Sequence, residues 1–143
     1  MTITAEVEIP QAGANGAILA QGGRFGGWSL YLKDGKPAYA YNWVGLERYL
    51  VASAEPLAAG KATISVDFIY DGGSRGKGGI AGLSVNGKKV AEGRIAKTNA
   101  FVFSLDEGAD VGVDEDTPVT EAYQAGAGSR FTGKIDRVTL QLR

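Results

Sequence analysis

The chain of 143 residues carries 15 basic and 16 acidic residues, and its formal net charge is −1. It therefore has no global basic field that would draw it to nucleic acid or to an anionic membrane surface. It contains no cysteine and no histidine, which excludes disulfides, thiolate or histidine metal sites and every nucleophile–base pair that depends on histidine. A hydrophobic share of 44% with 22 glycines is typical of a strand-rich globular chain, which we predict to be one domain spanning residues 1–143.

The N-terminal segment alternates between apolar and polar residues. One face carries Ile3, Ala5, Val7 and Ile9, and the other carries threonine and glutamate. This alternation predicts a strand rather than a signal peptide, so the segment indicates no compartment. No apolar run in the chain approaches the roughly 20 residues that a membrane-spanning helix needs.

The segment from Gly22 to Val51 combines frequent glycine with a high aromatic content. Within it, Asp34-Gly35 accepts the positive φ angles of a two-residue hairpin turn. Such a turn predicts that one face of the hairpin pairs Leu32 with Pro37, Leu30 with Tyr39, and Trp28 with Tyr41. The other face carries Ser29, Tyr31, Ala38 and Ala40.

Later segments repeat this strand pattern. Residues 63–70 alternate cleanly, and Phe101, Phe103 and Leu105 alternate again. A second tight turn at Asn86-Gly87 predicts that Leu83 lies opposite Val90.

Near the C-terminus the apolar residues switch phase, which predicts a β-bulge near Asp136-Arg137. No segment has a sustained helical period. The sequence therefore predicts an all-β fold, an antiparallel two-sheet β-sandwich of jelly-roll type, with its first and last strands adjacent.

The aromatic residues around the first hairpin raise the question of a sugar-binding platform, because aromatic rings stack on the apolar faces of sugars. Alternation assigns Trp28, Tyr39 and Tyr41 to the core. The remaining candidates for a ligand site lie on the other face or where the second strand ends: Tyr31, Asn42, Trp43, Arg48 and Tyr49. The alternative for Trp43 is that its ring closes the end of the sandwich.

Much of the sequence resembles one family. The stretches GGRFGGWSLYLKDGKPAYAYNW, GLERY, GKATISVDFIYDGG, RGKGGIAGLSVNGKKVAEGRI, FVFSLDEGADVG and FTGKIDRVTLQL are similar, in this order, to the C-terminal β-sandwich domain of large bacterial arylsulfatases. The resemblance implies a concanavalin A-like or laminin-G-like jelly roll. It also implies an accessory role on a sulfatase catalytic domain or another protein surface, in a family whose members are often exported or periplasmic.

The sulfatase active site does not carry over. The family's nucleophile comes from a Cys/Ser-x-Pro/Ala-x-Arg motif; the chain has no cysteine, and none of its serines begins this motif. We therefore expect no enzymatic activity and no obligatory cofactor. The competing expectation is a free-standing, lectin-like carbohydrate-binding module.

An acidic stretch provides the remaining candidate site. Calcium takes hard oxygen ligands, and laminin-G-like sandwiches often bind it at their loops, which makes Asp106, Glu107 and Asp110 candidate ligands. Their spacing does not match an EF-hand, and helix or turn caps, a solvated loop or salt bridges to lysine or arginine account for the same residues. Partners are thus a protein surface or a glycan, and neither nucleic acid nor a membrane is expected.

Overall fold

The alternating segments form ten strands in the computed structural model, which describes residues 2–23, 26–43, 45–70, 77–97, 109–113, 119, 120, 122, 123 and 129–141. The strands are β1 (Thr2–Ile9), β2 (Gly16–Gly23), β3 (Gly26–Lys33), β4 (Lys36–Trp43), β5 (Glu47–Ala52), β6 (Gly60–Tyr70), β7 (Lys77–Val85), β8 (Lys88–Lys97), β9 (Ala109–Val111) and β10 (Lys134–Gln141). The predicted strand at Phe101, Phe103 and Leu105 falls outside the described residues. No helix among the described ranges is long and apolar enough to span a bilayer.

The strands form two antiparallel sheets of five strands each. The first sheet has the order β10-β1-β6-β7-β8, and the second has the order β5-β4-β3-β2-β9. This arrangement confirms the predicted all-β, two-sheet sandwich. The adjacency of the first and last strands is also confirmed, because β1 pairs with β10.

The turn chemistry of the first hairpin sets its register as predicted. Asp34 and Gly35 have φ angles of 53° and 78°, which are the positive angles of a two-residue turn. The pairs Leu32–Pro37, Leu30–Tyr39 and Trp28–Tyr41 all form.

One predicted register is wrong and one irregularity is confirmed. Asn86 and Gly87 do form a positive-φ turn, but Leu83 pairs with Ala91, because a register shift after Leu83 leaves Val90 as an extra residue in β8. The C-terminal bulge lies where the phase switch predicted it. Glu6 pairs with Arg137 and Val7 pairs with Ile135, so Asp136 is the extra residue.

The core lies between the two sheets and takes one side of nearly every strand. Trp28 and Tyr39 are 1% and 0% exposed, with ring centroids 6.2 Å apart. Tyr41 is also buried in this cluster, so the prediction that these three aromatic residues are core residues is confirmed. In β2 a register shift between Ala17 and Leu19 turns both Ile18 and Leu19 toward the core.

The outer face of the second sheet is also buried along β3 and β4. Tyr31, Ala38 and Ala40 form a second cluster, and Ala122 and Tyr123 pack against it. Tyr123 meets Tyr31 edge to face at 5.5 Å, and its hydroxyl hydrogen bonds to the hydroxyl of Ser29 at 2.8 Å. We call residues 119–123 the strap; its described members lie over the small side chains of β3 and β4.

Candidate functional site

The turn from β4 into β5 brings most of the predicted ligand residues to one end of the sandwich. Trp43 pairs with Glu47, Asn42 with Arg48, and Tyr41 with Tyr49. Gly45 adopts a φ of 79°, and the Leu46 amide donates to the Trp43 carbonyl at 2.9 Å. Gly45 thus permits the sharp reversal between β4 and β5.

Strand alternation divides these residues between two faces. Trp43, Glu47 and Tyr49 have the same phase as core residues Tyr39 and Tyr41, so they lie on the inward side where the sandwich opens. Arg48 and Leu50 project from the outward side, and Leu50 is 62% exposed. Trp43, Glu47 and Tyr49 therefore form one group, which we call the corner site, and Arg48 does not join it.

Asn42 has a structural position rather than a surface one. Asn42 is completely buried, with 0% of its surface exposed to solvent. Its side-chain amide donates to the Val119 carbonyl at 3.0 Å, and its amide oxygen accepts from the Gly45 amide at 2.8 Å. Asn42 thus links the strap to the β4–β5 turn and has no exposed group to offer a ligand.

Tyr31 also lies away from the corner site. It is 3% exposed under the strap. Burial raises the pKa of its hydroxyl, and a hydrogen bond with the Thr120 side chain opposes part of that rise. Sequence reasoning assigned Tyr31 to the outward face correctly, but it missed that the strap covers this face.

The corner site combines an aromatic ring with a polar pair. The Tyr49 hydroxyl donates a hydrogen bond to the Glu47 carboxylate. This hydrogen bond is the main reason that the pKa of Tyr49 is raised, followed by burial and by the negative charge of Glu47. Tyr49 packs against the core, whereas Trp43 is half-buried and does not belong to the described core or to the residues that pack on it.

Glu47 is the member of the corner site that sequence reasoning missed. The available signal was its place two residues before Tyr49, because positions i and i+2 of a strand lie on the same face. Leu46 is 74% exposed at the tip of the turn and extends the apolar surface next to Trp43.

The calcium prediction stays a prediction. Asp106 and Glu107 lie outside the described residues, and Asp110 is described only through its backbone, which pairs with Ala20 in β2. Within the described part of the chain, no group of three or more carboxylate, histidine or cysteine side chains could hold a metal ion.

No protein-family model and no curated protein sequence matches the chain. Solved structures do match. The carbohydrate-binding module CBM40 of the Ruminococcus gnavus IT-sialidase has a TM-score of 0.62 at 17% identity, and the match covers 96% of this chain and 73% of that chain. The same module bound to α2,3-sialyllactose also matches, with a TM-score of 0.62 at 16% identity over 96% of this chain and 72% of that chain.

Two further matches come from animal proteins. The mouse laminin α1 chain, domains LG4-5, has a TM-score of 0.66 at 14% identity, covering 96% of this chain and 34% of that chain. A SAP-like pentraxin from Limulus polyphemus has a TM-score of 0.55 at 13% identity, covering 96% of this chain and 61% of that chain. Likeness at these identities establishes the fold alone, a jelly-roll sandwich of the kind found in CBM40 and laminin G domains. None of these structures links the chain to an arylsulfatase.

Proposed function

We propose that this protein is a non-catalytic carbohydrate-binding module and that the corner site holds the sugar. The observation that carries the proposal is the position of Trp43. Its ring is half-buried at the open end of the sandwich, outside the described core, beside a carboxylate and a phenol. An apolar ring beside a few fixed polar groups is the usual composition of a sugar site.

The polar members of the corner site favour an uncharged sugar. The Glu47 carboxylate is an acceptor for two adjacent sugar hydroxyls, and its negative charge repels an acidic sugar at the same place. The hydrogen bond from Tyr49 holds this carboxylate in one orientation next to Trp43. The CBM40 structures support the wider class, since they show a sandwich of this fold carrying a glycan.

The absence of catalysis rests on side-chain chemistry. Without histidine or cysteine in the sequence, hydrolysis of a glycan would need paired carboxylates. In the corner site Glu47 is a single carboxylate, and the phenol of Tyr49 already donates to it.

A glycan array containing neutral glycans together with α2,3- and α2,6-sialyllactose tests the proposal, with calcium present in one arm and chelated in the other. We expect binding to neutral glycans that is lost in Trp43→Ala and reduced about tenfold in Glu47→Gln, because a charged acceptor becomes a neutral one. Arg48→Ala is the matched control, since Arg48 is a neighbour in sequence on the opposite face. Binding that survives Trp43→Ala would reject the corner site, and no binding to any glycan would reject the function.

The accessory-domain role implied by the arylsulfatase resemblance is a second proposal. It makes the sulfatase catalytic domain the partner in place of a glycan. The native reading frame distinguishes the two proposals. A sulfatase domain encoded upstream would support docking on that domain, and a reading frame without one would support the free-standing carbohydrate-binding module.

A further inference from the structure

One side of the sandwich is open between two edge strands. β10 ends the first sheet here and β9 ends the second, and a Cβ on Gly112, just after β9, would lie 3.5 Å from the Cδ1 of Ile135 in β10. Leu140 pairs with the core residue Ile3 and therefore points inward, yet it is 42% exposed. Val111 of the three-residue strand β9 likewise pairs with a core residue of β2 and is 58% exposed. Inward-facing apolar side chains of both edge strands thus remain in contact with water.

The opposite side of the sandwich is closed by contact between β5 and β8. A Cβ on Gly93 in β8 would lie 2.8 Å from the Cγ2 of Val51 in β5. Val51 points inward at this contact and is 4% exposed. A strand added beside β5 would therefore cover little inward apolar surface here, whereas a strand added beside β10 would cover Leu140.

The main chain of β10 is available for pairing. It pairs with β1 on one side, and no other described strand lies beside it. Such an edge presents a row of unpaired N–H and C=O groups, which is a template for a further strand. The first half of β10 carries charges and a bulge at Asp136, two features that oppose edge pairing. The second half, Val138–Gln141, is uncharged and regular in register.

The other edge of the first sheet, β8, has the features that oppose pairing along much of its length. Lys88, Lys89, Glu92 and Arg94 are exposed there, and the register shifts at Val90. Exposed charges and a bulge both hinder the approach of another strand. Of the two edges of this sheet, β10 is therefore the one that offers a flat, uncharged stretch.

We propose that β10 pairs antiparallel with β10 of a second copy of this chain, so that the two five-stranded sheets join into one. A two-fold axis relates such copies, so one residue of β10 lies opposite itself and sets the register. Thr139 is the middle of the regular stretch Arg137–Gln141, which lies between the bulge at Asp136 and the end of the strand. A register centred on Thr139 therefore uses the whole of this stretch in both copies.

This register makes β10 complementary to itself on both faces of the joined sheet. On the inward face, Val138 lies opposite Leu140 of the second copy, so each exposed leucine gains an apolar neighbour. On the outward face, Arg137 lies opposite Gln141 of the second copy, so like charges do not meet. This self-complementarity favours a second copy over a strand of a different protein.

Light scattering coupled to size-exclusion chromatography tests the proposal on the whole chain, over a dilution series that starts at about 100 μM. We expect a mass twice that of the chain at the highest concentration. Leu140→Lys should halve this mass, because a lysine on an edge strand opposes pairing. Leu50→Lys is the matched control, since Leu50 is 62% exposed on the edge strand β5, and it should remain a dimer. Far-UV circular dichroism should show the same strand content in both variants.

Cross-linking tests the register. The chain has no cysteine, so a single introduced thiol reports on one position. Two copies of the Thr139→Cys variant place their sulfurs opposite each other, close enough for a disulfide, and mild oxidation should link them. Arg137→Cys should not link to itself, because this position faces Gln141 of the second copy, but it should link when mixed with Gln141→Cys.

Four outcomes would overturn the proposal. A chain that stays monomeric would leave the edge of β10 to a strand of a different protein. A dimer that persists in Leu140→Lys, or one that is lost equally in Leu50→Lys, would place the interface elsewhere. Thr139→Cys linking no faster than Arg137→Cys alone would reject the register and with it the pairing. Trp43→Ala should dimerise as the wild type does, so failure of this proposal and failure of the corner site are distinguishable.

Discussion

The side chain of Asn42 donates a hydrogen bond to the main-chain carbonyl of Val119, 77 positions further along the chain, at 3.0 Å and out of contact with solvent. This bond fastens the strap to β4. Because the other end of the same amide accepts from Gly45, one side chain fixes both the strap and the turn that carries the corner site.

Replacing Asn42 with alanine should therefore destabilise the protein. The change leaves the Val119 carbonyl and the Gly45 amide without this partner, and a buried group left unsatisfied costs about 1–3 kcal/mol. Chemical denaturation should show a lower free energy of unfolding in Asn42→Ala, with Gln141→Ala on exposed β10 as a near-neutral control. A variant as stable as the wild type would mean that water replaces the amide at both partners.

The buried hydroxyl of Tyr31 predicts a loss of stability in alkali. Its pKa is raised by burial in the folded state, so above about pH 10 the unfolded chain releases this proton while the folded chain retains it. The unfolded state then binds fewer protons, and the free energy of unfolding falls as the pH rises further. Tyr31→Phe should make this fall less steep, as measured by denaturation at a series of pH values from 8 to 11. An unchanged slope would contradict the assignment of the shift to Tyr31.

The two sheets approach each other closely where β8 passes β5. A Cβ at Gly93 would lie 2.8 Å from the Cγ2 of Val51, which is buried in the core. Gly93→Ala should therefore destabilise by about 1–3 kcal/mol through overpacking. The matched control is Gly82→Ala, also in the first sheet, where the nearest atom is the flexible Lys89 side chain at 3.4 Å.

A double-mutant cycle identifies the cause of the Gly93 effect. If the clash with Val51 is responsible, Gly93→Ala and Val51→Ala together should cost less than the sum of the single changes, by at least about 0.5 kcal/mol. If the losses of stability in the two single variants simply add in the double variant, the clash with Val51 is not the cause of the Gly93→Ala effect.

The sequence predicts those parts of the fold that local chemistry determines. Asp34-Gly35 admits one tight turn, and that turn dictates which residue faces Leu30 and Trp28. The same reasoning fails at Leu83, because the extra residue at Val90 lies in a strand whose alternation gives no sign of a bulge. At Asp136 the sequence does predict the bulge, because the apolar residues before and after this position would otherwise lie on opposite faces of the strand.

The strap was beyond sequence reasoning because its contacts join distant positions without a periodic pattern. A signal did exist on the surface that it covers. Away from the hairpin turn, where Lys33 and Lys36 lie, the face of β3 and β4 opposite the core carries small residues, Tyr31 and Asn42, which is unusual for a solvated sheet face. Because the strap was not predicted, Tyr31 and Asn42 were expected to be accessible to a ligand. Trp43 and Tyr49, which the strap does not cover, do lie together in the corner site.

The two tryptophans should respond differently to truncation. Trp28 is 1% exposed in the core, so Trp28→Ala should cost about 3–5 kcal/mol. Trp43 is half-buried outside the described core, so Trp43→Ala should cost about 1 kcal/mol or less, as substitutions away from a packed interior do. Thermal and chemical denaturation of both variants, alongside glycan binding by Trp43→Ala, provides the comparison. If Trp43→Ala costs about as much as Trp28→Ala, its ring closes the end of the sandwich. Glycan binding lost in that variant would then reflect damage to the fold, whereas loss of binding at nearly unchanged stability identifies Trp43 as the residue on which the sugar stacks.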